Sequence, residues 1–333
     1  MAMKKFINDP ANLVSELLEG FAIANSSKVK VVSGNLVMRT KFKPRKKVAL
    51  VTLGGSGHEP ALSGFVGTGL LDVSVAGEIF AAPGPPKVLD AFKSMKRDAG
   101  ILFVVLNHAG DVLSANMALP MAEQAGIKVK QVLTHEEIDV NNGVKTNEGR
   151  GLSGCLFVYK VAGAAAEAGK SLDEVAAVAE KMSRNMATVA IAASGCTHPC
   201  TGQVIAEIGV EDYVIGMGQH GEAGGITEKN LKADKAADIM LSKLLQSLNI
   251  QAGEEVLLMI NGVGATTLME QYVVLRRCKQ ILDEKKVNLA RTLVGEFLTV
   301  QEMGGFQMVL ARMDKELLEL WDAPCNSPAL TVK

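Results

Sequence analysis

The sequence lacks an excess of charge of either sign. Lysine and arginine together number 35, aspartate and glutamate number 36, and the formal net charge is −1. Proteins that bind nucleic acid or an anionic membrane through their overall field carry a clear excess of basic residues. We therefore do not expect a polyanion as the main partner.

The sequence also lacks long apolar runs and a secretory leader. Apolar segments such as "ILFVVL" are far shorter than the roughly 20 residues that span a bilayer. The amino terminus, "MAMKKFINDP", has no apolar core and no small-residue cleavage site. The five cysteines of this 333-residue chain fit reduced thiols better than a disulfide framework. These features predict a soluble, cytoplasmic protein.

The chain has no fixed-period repeat or low-complexity tract, and it contains instead short apolar runs that alternate with amphipathic stretches. Runs such as "VALVTL", "ILFVVL" and "KVKQVL" are typical of central strands in a largely parallel sheet, because such strands are buried on both faces. Residues 85–100 and 111–126 each predict a helix that closes on glycine. The predicted fold class is therefore α/β.

An Ala-rich block in the middle of the chain is the best candidate for a bridge between two domains. It predicts two consecutive helices, the second capped by Ser171 with Glu174 three residues later. A second set of apolar runs, including "ATVAIAAS" and "FQMVLARM", follows it. We interpret the chain as an amino-terminal α/β lobe, residues 1–186, in close contact with a carboxyl-terminal α/β lobe, residues 187–333.

Three loops that follow apolar runs or lie among glycines carry the candidate chemistry. The first is "LGGSGHEP", in which a glycine-rich stretch leads into His58; its small residues are Gly54, Gly55, Ser56 and Gly57. Glycine lets backbone N–H groups approach a ligand closely, so the loop suits a small polar ligand. A tight strand-to-helix turn explains the same residues about equally well.

The other two loops add a carboxylate and a second imidazole. "LNHAGD" places Gly110 and Asp111 after a strand, where α/β sheets bind ligands, although an N-cap is the plainer interpretation of Asp111. "GMGQHGEAGG" holds His220 among five glycines, a setting that does not suit a packed core histidine. Together the loops predict one composite site for proton transfer, or for addition of a neutral histidine to a carbonyl.

Two other kinds of site find little support in the sequence. "CTHPC", residues 196–200, has no second Cys or His pair at zinc-finger spacing, and a strand-end turn explains it better. No G-x-x-x-x-G-K-[ST] motif occurs, and "NGVGATT" lacks the lysine that reaches a phosphate. We therefore predict neither a metal ion nor a nucleotide cofactor in this chain.

Six motifs, in order along the chain, resemble the DhaK subunit of dihydroxyacetone kinases. They are "GGSGHEP", "AGEIF…P", "N..GD", "GMG.HGE", "NGVGAT" and "LWDAP…PAL", and the likeness runs from "FINDP" to the carboxyl terminus. The resemblance implies a two-lobed α/β homodimer that holds a short ketose covalently. It implies that His220 adds to the keto carbon as a hemiaminal, that Asp111 takes the proton from the attacking hydroxyl, and that His58 assists by hydrogen bonding.

The same resemblance implies a partner. Family members of this length carry no nucleotide site, so ADP or ATP with magnesium is expected on a separate DhaL-like subunit. ADP would be recharged by a protein of the phosphotransferase system, whereas ATP would exchange; both sources stay open. The chain would then act as a glycerone kinase subunit of glycerol metabolism only together with that partner.

Several positions depart from the family pattern. Leu53 replaces a glycine, and Ala223 replaces a proline. Two alanines follow "GEIF" where Ser or Thr is common, and "LNHAGD" replaces "KNYTGD"; the residues concerned are Ala81, Ala82, Leu106, His108 and Ala109. A methyl in place of a hydrogen-bonding group costs roughly 1–3 kcal/mol for each ligand group left unpaired.

Two hypotheses follow from this combination of retained site residues and altered neighbouring positions. Retention of His58, Asp111 and His220 favours a kinase subunit that presents dihydroxyacetone or a C4 ketose for phosphorylation. The altered pocket edges favour a non-catalytic relative that binds the ketone and acts as a transcriptional coactivator.

Overall fold

The structure is a computed structural model that describes residues 3–32, 35–43, 46–218, 222 and 225–333. Its described helices are α1 (Leu13–Ala24), α2 (Pro85–Ser94), α3 (Ala109–Gln124), α4 (Cys155–Glu167), α5 (Leu172–Asn185), α6 (Ala233–Ser247), α7 (Leu268–Glu284) and α8 (Lys315–Asp322). None of these described helices combines the length and the apolar character needed to cross a bilayer.

The described strands run from β1 to β18, and several have only two residues. They are β1 (Val29–Val32), β2 (Leu36–Arg39), β3 (Ala49–Ser56), β4 (Val73–Ile79), β5 (Ile101–Leu106), β6 (Val129–Thr134), β7 (Ile138–Asp139), β8 (Val144–Lys145), β9 (Met186–Ala192), β10 (Cys196–Thr197), β11 (Val204–Ile205), β12 (Asp212–Ile215), β13 (Ile226–Lys229), β14 (Glu255–Gly262), β15 (Asn288–Gly295), β16 (Gly305–Met313), β17 (Cys325–Asn326) and β18 (Thr331–Val332).

Contacts divide the chain into two compact units. Unit N comprises Phe6–Thr134, Cys155–Ser183 and Glu316–Lys333, and unit C comprises mainly His135–Gly154 and Arg184–Lys315. Each unit is therefore built from several separate stretches of the chain, whereas the prediction divides the chain only once, between residues 186 and 187. That single division stays a prediction about domains.

The sheet of unit N has six strands in the order β1-β2-β4-β3-β5-β6. β3 runs parallel to β4 and β5, and β5 runs parallel to β6, whereas β2 is antiparallel to its neighbours. The prediction of a largely parallel sheet is confirmed for β3 to β6. The prediction that "KVKQVL" forms a central strand buried on both faces is wrong, because β6 lies at the edge of the sheet and only Val132 and Thr134 of this strand are buried. Alternate residues of β3 and β5 pack beneath α2 and α3 on one face, and α4 contacts β3. Helix α4 is buried along almost its whole length, as expected for a helix that is apolar all round.

The sheet of unit C also has six strands, in the order β13-β12-β9-β16-β14-β15. Among its described strand pairs only β14 and β15 are parallel. Alternate residues of β14 and β16 pack against α6 and α7 in the core of this unit. The second set of apolar runs is thus confirmed as strands, in a sheet that is mostly antiparallel.

The predicted helix start at Ser171 is also confirmed. The Glu174 amide donates to the Ser171 hydroxyl over 3.3 Å, and the Ser171 amide donates to the Glu174 carboxylate over 2.8 Å. This reciprocal pair satisfies two N–H groups that the first turn of α5 would leave without partners.

Candidate functional site

The carboxyl ends of β3, β4 and β5 define the candidate site of unit N. These strands end at Ser56, Ile79 and Leu106, and because they are parallel neighbours their following loops meet at one edge of the sheet. The predicted loops that carry His58 and Asp111 are two of these three.

The β3 loop, residues 54–58, begins inside the strand, because Gly54, Gly55 and Ser56 are the last residues of β3. A Cβ atom at residue 55 would lie 2.7 Å from the amide nitrogen of Ala81, and one at residue 54 would lie 2.6 Å from a methyl of Leu62. Gly57 has φ +99°, a conformation that side chains rarely adopt. The Ser56 hydroxyl donates to the carbonyl of Gly77 over 2.8 Å. These contacts fix the β3 loop against β4; the ligand-binding roles of these residues stay predictions.

His58 lies in a mostly buried position against an aromatic ring. Only 6% of the residue is exposed, and its ring centroid lies 4.9 Å from that of Phe80 with the planes tilted by 36°. The neighbouring Glu59 carboxylate accepts from the Gly57 amide over 3.1 Å. Burial raises the pKa of Glu59, and these backbone hydrogen bonds oppose that rise. The loop therefore holds the imidazole against Phe80, while the carboxyl group of the next residue, Glu59, is held by the loop backbone.

Asp111 lies in the first turn of α3 and is 8% exposed. The N-cap of this helix is His108, which makes no side-chain cap hydrogen bond, so the N-cap interpretation of Asp111 is wrong. The helix starts earlier than the sequence pattern predicts, at Ala109. Burial raises the pKa of Asp111 to about 7. This carboxyl group can therefore exchange a proton near neutral pH.

The loop after β4 contacts both functional loops. Phe80 packs on His58, a Cβ atom at Gly110 would lie 3.4 Å from that of Ala82, and the Ser114 hydroxyl donates to the Pro83 carbonyl over 2.5 Å. The structure thus holds His58 and the start of α3 against one short segment, residues 80–83. The sequence reasoning missed Phe80; its place directly after an apolar strand, in "AGEIF", was the available signal.

A buried hydroxyl pair behind the site was also missed. The Tyr159 hydroxyl of α4 lies 3.0 Å from the Thr52 hydroxyl, which donates to the Val104 carbonyl over 2.8 Å. Burial is the main cause that raises the pKa of Tyr159 well above its usual value, and electrostatic interactions with Cys155 and Asp111 add to the rise. The signal was Thr52 itself, a polar residue within the run "VALVTL".

The third predicted loop belongs to unit C, between β12 and β13. His220 lies outside the described residues, so its predicted role and the composite site of all three loops stay predictions. At the ends of the loop, the Gly216 amide donates to the Ala190 carbonyl over 2.7 Å, and the Gly225 amide donates to the Ile215 carbonyl over 3.0 Å. Arg150, which the sequence reasoning missed, contacts the carbonyl of Gly216 and the carboxylate of Glu222.

The "CTHPC" segment forms a strand-end turn, as predicted. Cys196 is buried in the two-residue strand β10, and the Cys200 amide donates to Nδ1 of His198 over 3.2 Å. Within the described part of the chain, no group of three or more His, Cys, Asp or Glu side chains is arranged to hold a metal ion.

The chain resembles known proteins over nearly its whole length. The Dak1 domain family matches residues 19–329. The dihydroxyacetone-binding subunit of PTS-dependent dihydroxyacetone kinase 1 from Listeria innocua is 36% identical over 314 residues, covering 94% of this chain and 95% of that protein.

Two solved structures have a similar fold. A dihydroxyacetone kinase operon co-activator superposes with a TM-score of 0.90 at 27% identity, covering 95% of this chain and 98% of its own. The dihydroxyacetone kinase of C. freundii superposes with a TM-score of 0.91 at 26% identity, covering 100% of this chain and 61% of its own. The predicted α/β fold is confirmed by these superpositions.

Proposed function

The chain belongs to the Dak1 domain family, and from this premise we propose that it is the ketose-binding subunit of a dihydroxyacetone-type kinase. The observation that carries the proposal is the buried Asp111 carboxyl, with a pKa of about 7, at the sheet edge it shares with His58. A general base works best when its pKa lies near the working pH.

The substrate is a short ketose, dihydroxyacetone or a C4 relative, held as a hemiaminal on His220. A ring nitrogen of His220 forms a bond to the keto carbon, the carbonyl π electrons pass to oxygen, and that oxygen takes up a proton. The other ring nitrogen gives up its proton, so the adduct is neutral. This chemistry selects ketones over polyols such as glycerol, which offer no carbonyl carbon.

Asp111 then accepts the proton of the substrate's terminal hydroxyl group while the oxygen of that hydroxyl group attacks phosphorus. His58 assists by hydrogen bonding, and its contact with Phe80 supports that role because it limits the rotation of the imidazole. The Gly-rich β3 loop supplies backbone groups close to the substrate.

The phosphoryl donor is carried by a separate DhaL-like subunit, as ADP or ATP with magnesium. The Listeria innocua relative supports this arrangement, because its name describes a dihydroxyacetone-binding subunit and the match covers nearly its whole length. We further propose that the chain works in the cytoplasm as a homodimer.

The test is turnover in a reconstituted system. The chain is mixed with a DhaL-type subunit and either ATP or a phosphotransferase recharging system, and phosphorylation of trioses and tetroses is followed. Turnover that requires both proteins is expected. Absence of turnover with every triose and tetrose, under both donor systems, would exclude the kinase role.

A coactivator role is the second candidate. The match to an operon co-activator favours it, and so do changes at exposed positions of the site edge, Ala81 and Ala109. Under this hypothesis the ketone adduct still forms on His220, but no partner phosphorylates it. Adduct formation without turnover, together with ketone-dependent binding to a transcription factor, would select this role.

A further inference from the structure

We propose that Ser114 is a positioning residue for Asp111, because its buried hydroxyl fastens α3 to the segment that follows β4. The inference rests on the proposed function, since it concerns the group that would take the proton from the ketose. Only 5% of Ser114 is exposed, and it lies three residues after Asp111, on the same face of the helix. A shift of α3 at Ser114 therefore moves Asp111 as well.

The hydroxyl of Ser114 donates outside its own helix. A serine within a helix commonly donates to the carbonyl three or four residues earlier, and Ser94 of α2 does so, to Ala91 over 2.7 Å. Ser114 instead donates to the Pro83 carbonyl over 2.5 Å, and the two residues are 31 positions apart in sequence. This hydrogen bond therefore holds the helix against a neighbouring loop, and it also satisfies a buried hydroxyl.

The start of α3 needs such an anchor. Its N-cap residue, His108, makes no side-chain cap hydrogen bond. The first amide groups of a helix have no acceptor within the helix, so a first turn without a capping side chain frays readily. Asp111 lies in this first turn, where the helix itself constrains its position least. The bond from Ser114 fastens the next turn to the rest of unit N.

The segment that accepts this bond, residues 80–83, is itself held firmly. The Phe80 amide donates to the Ser56 carbonyl over 2.9 Å, which ties the segment to the end of β3. A Cβ atom at Gly77 would lie 2.8 Å from the nitrogen of Pro83, so the segment packs directly on the backbone of β4. The proline ring also fixes the φ angle of Pro83. Its carbonyl is therefore an acceptor in a fixed position.

The same segment supports the second group of the proposed phosphoryl transfer. The ring of Phe80 packs on His58 with a centroid distance of 4.9 Å. His58 through Phe80, and Asp111 through Ser114, thus rest on one short piece of backbone. A general base must lie about 2.6–3.2 Å from the atom whose proton it takes. A displacement of about 1 Å at this step can lower a rate by about 100-fold.

The test separates phosphoryl transfer from capture of the ketose. The transfer rate is measured in a single turnover, with an excess of the DhaL-type subunit carrying its phosphoryl donor. Capture is measured as the Kd for dihydroxyacetone labelled with ¹³C at the keto carbon, by NMR. Ser114→Ala should lower the transfer rate by about 10- to 100-fold and leave the Kd unchanged, because the lost bond holds the base and not the ketose. Ser114→Cys, which has a similar shape but is a weak donor, should lose nearly as much.

Ser183→Ala is the matched control. Ser183 lies in α5 of the same unit, is 4% exposed, and donates from its hydroxyl to the Leu133 carbonyl of β6 over 3.1 Å. This variant also loses a hydrogen bond from a buried helical serine to the backbone of another element, but neither partner belongs to α3 or to residues 80–83. It should lower stability by a similar amount and leave the transfer rate unchanged.

Hydrogen exchange gives a readout that does not depend on turnover. The Val112 amide donates to the His108 carbonyl over 2.9 Å at the start of α3. Its exchange should become about 10-fold faster in Ser114→Ala and stay unchanged in Ser183→Ala.

Three results would overturn the inference alone: a wild-type transfer rate in either Ser114 variant, an equal loss of rate in Ser183→Ala, or unchanged exchange at Val112 in Ser114→Ala. Failure of the wild-type chain to support phosphorylation of any triose or tetrose would overturn the proposed function and this inference with it.

Discussion

Asp111 illustrates how burial changes the chemistry of a single residue. Proton transfer to this carboxyl group requires its ionised form, and a pKa of about 7 makes that form the minority at pH 6 and the majority at pH 8. Turnover of the reconstituted kinase should therefore rise about 5- to 10-fold from pH 6 to pH 8. Adduct formation measured at the same pH values is the control. A flat turnover profile with constant adduct would contradict Asp111 as the base.

The same burial makes Asp111 costly for stability at high pH. Because its pKa in the folded chain lies above the usual value of 3.8, protonation favours the folded state, and this contribution is lost as the pH rises through about 7. Asp111→Asn should be more stable than wild type by roughly 2–4 kcal/mol at pH 8.5, and by less at pH 5. Urea denaturation at both pH values measures this difference. Asp98→Asn, the same change at an exposed position of the same unit, is the matched control.

The sequence predicted correctly the location of those site residues that directly follow a recognisable strand. His58 and Asp111 follow apolar strands, and parallel strands bring such positions to one edge. Phe80 and Arg150 were not predicted because the residues that they contact lie far away in sequence. A lone arginine or phenylalanine carries no local pattern that reports such a contact.

At the scale of the element, the β3 loop depends on close backbone approach. A Cβ atom at residue 55 would meet backbone atoms of Ala81 and Phe80 at 2.7 to 3.2 Å, and backbone cannot move aside as a flexible side chain can. Gly55→Ala should therefore destabilise the chain by about 1–3 kcal/mol and loosen the contact between His58 and Phe80. Urea denaturation gives the loss of stability.

Gly20→Ala is the matched control for that change. Gly20 lies within α1, and a Cβ atom there would have nothing within 4 Å. Alanine is a better helix former than glycine, so this substitution should stabilise the chain by about 0.5–1 kcal/mol. If Gly55→Ala were equally harmless, close approach would not be the reason for glycine at residue 55.

The direction of the strands was only partly predictable. Apolar runs buried on both faces identified strands in both sheets, because that pattern reflects burial. An apolar run shows that a strand is buried, but it does not show whether its neighbours run parallel or antiparallel to it. The mostly antiparallel sheet of unit C was therefore not predicted. Helix starts were less exact for a similar reason: α3 begins at Ala109, where His108 supplies no capping side chain that a sequence pattern could detect.

For the whole molecule, the division into units depends on the path of the chain, which the composition does not reveal. Unit N takes its third stretch from the carboxyl-terminal end, Glu316–Lys333, where the Ala329 amide donates to the Gly64 carbonyl over 2.9 Å. A linear reading of helix and strand patterns cannot reveal such a return, because it depends on contacts between the two ends of the sequence. The predicted division into residues 1–186 and 187–333 accordingly contains no such return.

Carbonyl capture also makes a prediction for the stability of the whole chain. A ligand that binds only the folded state stabilises it by about 2.7 kcal/mol at a concentration of 100 times its Kd. Dihydroxyacetone should therefore raise the melting temperature of the chain, whereas glycerol at the same concentration should not, because it offers no carbon to the imidazole. His220→Ala should abolish the shift. Equal shifts with both compounds would contradict covalent capture. Because the kinase subunit and the coactivator both require capture, this measurement tests what they share, and turnover with a DhaL-type partner then separates them.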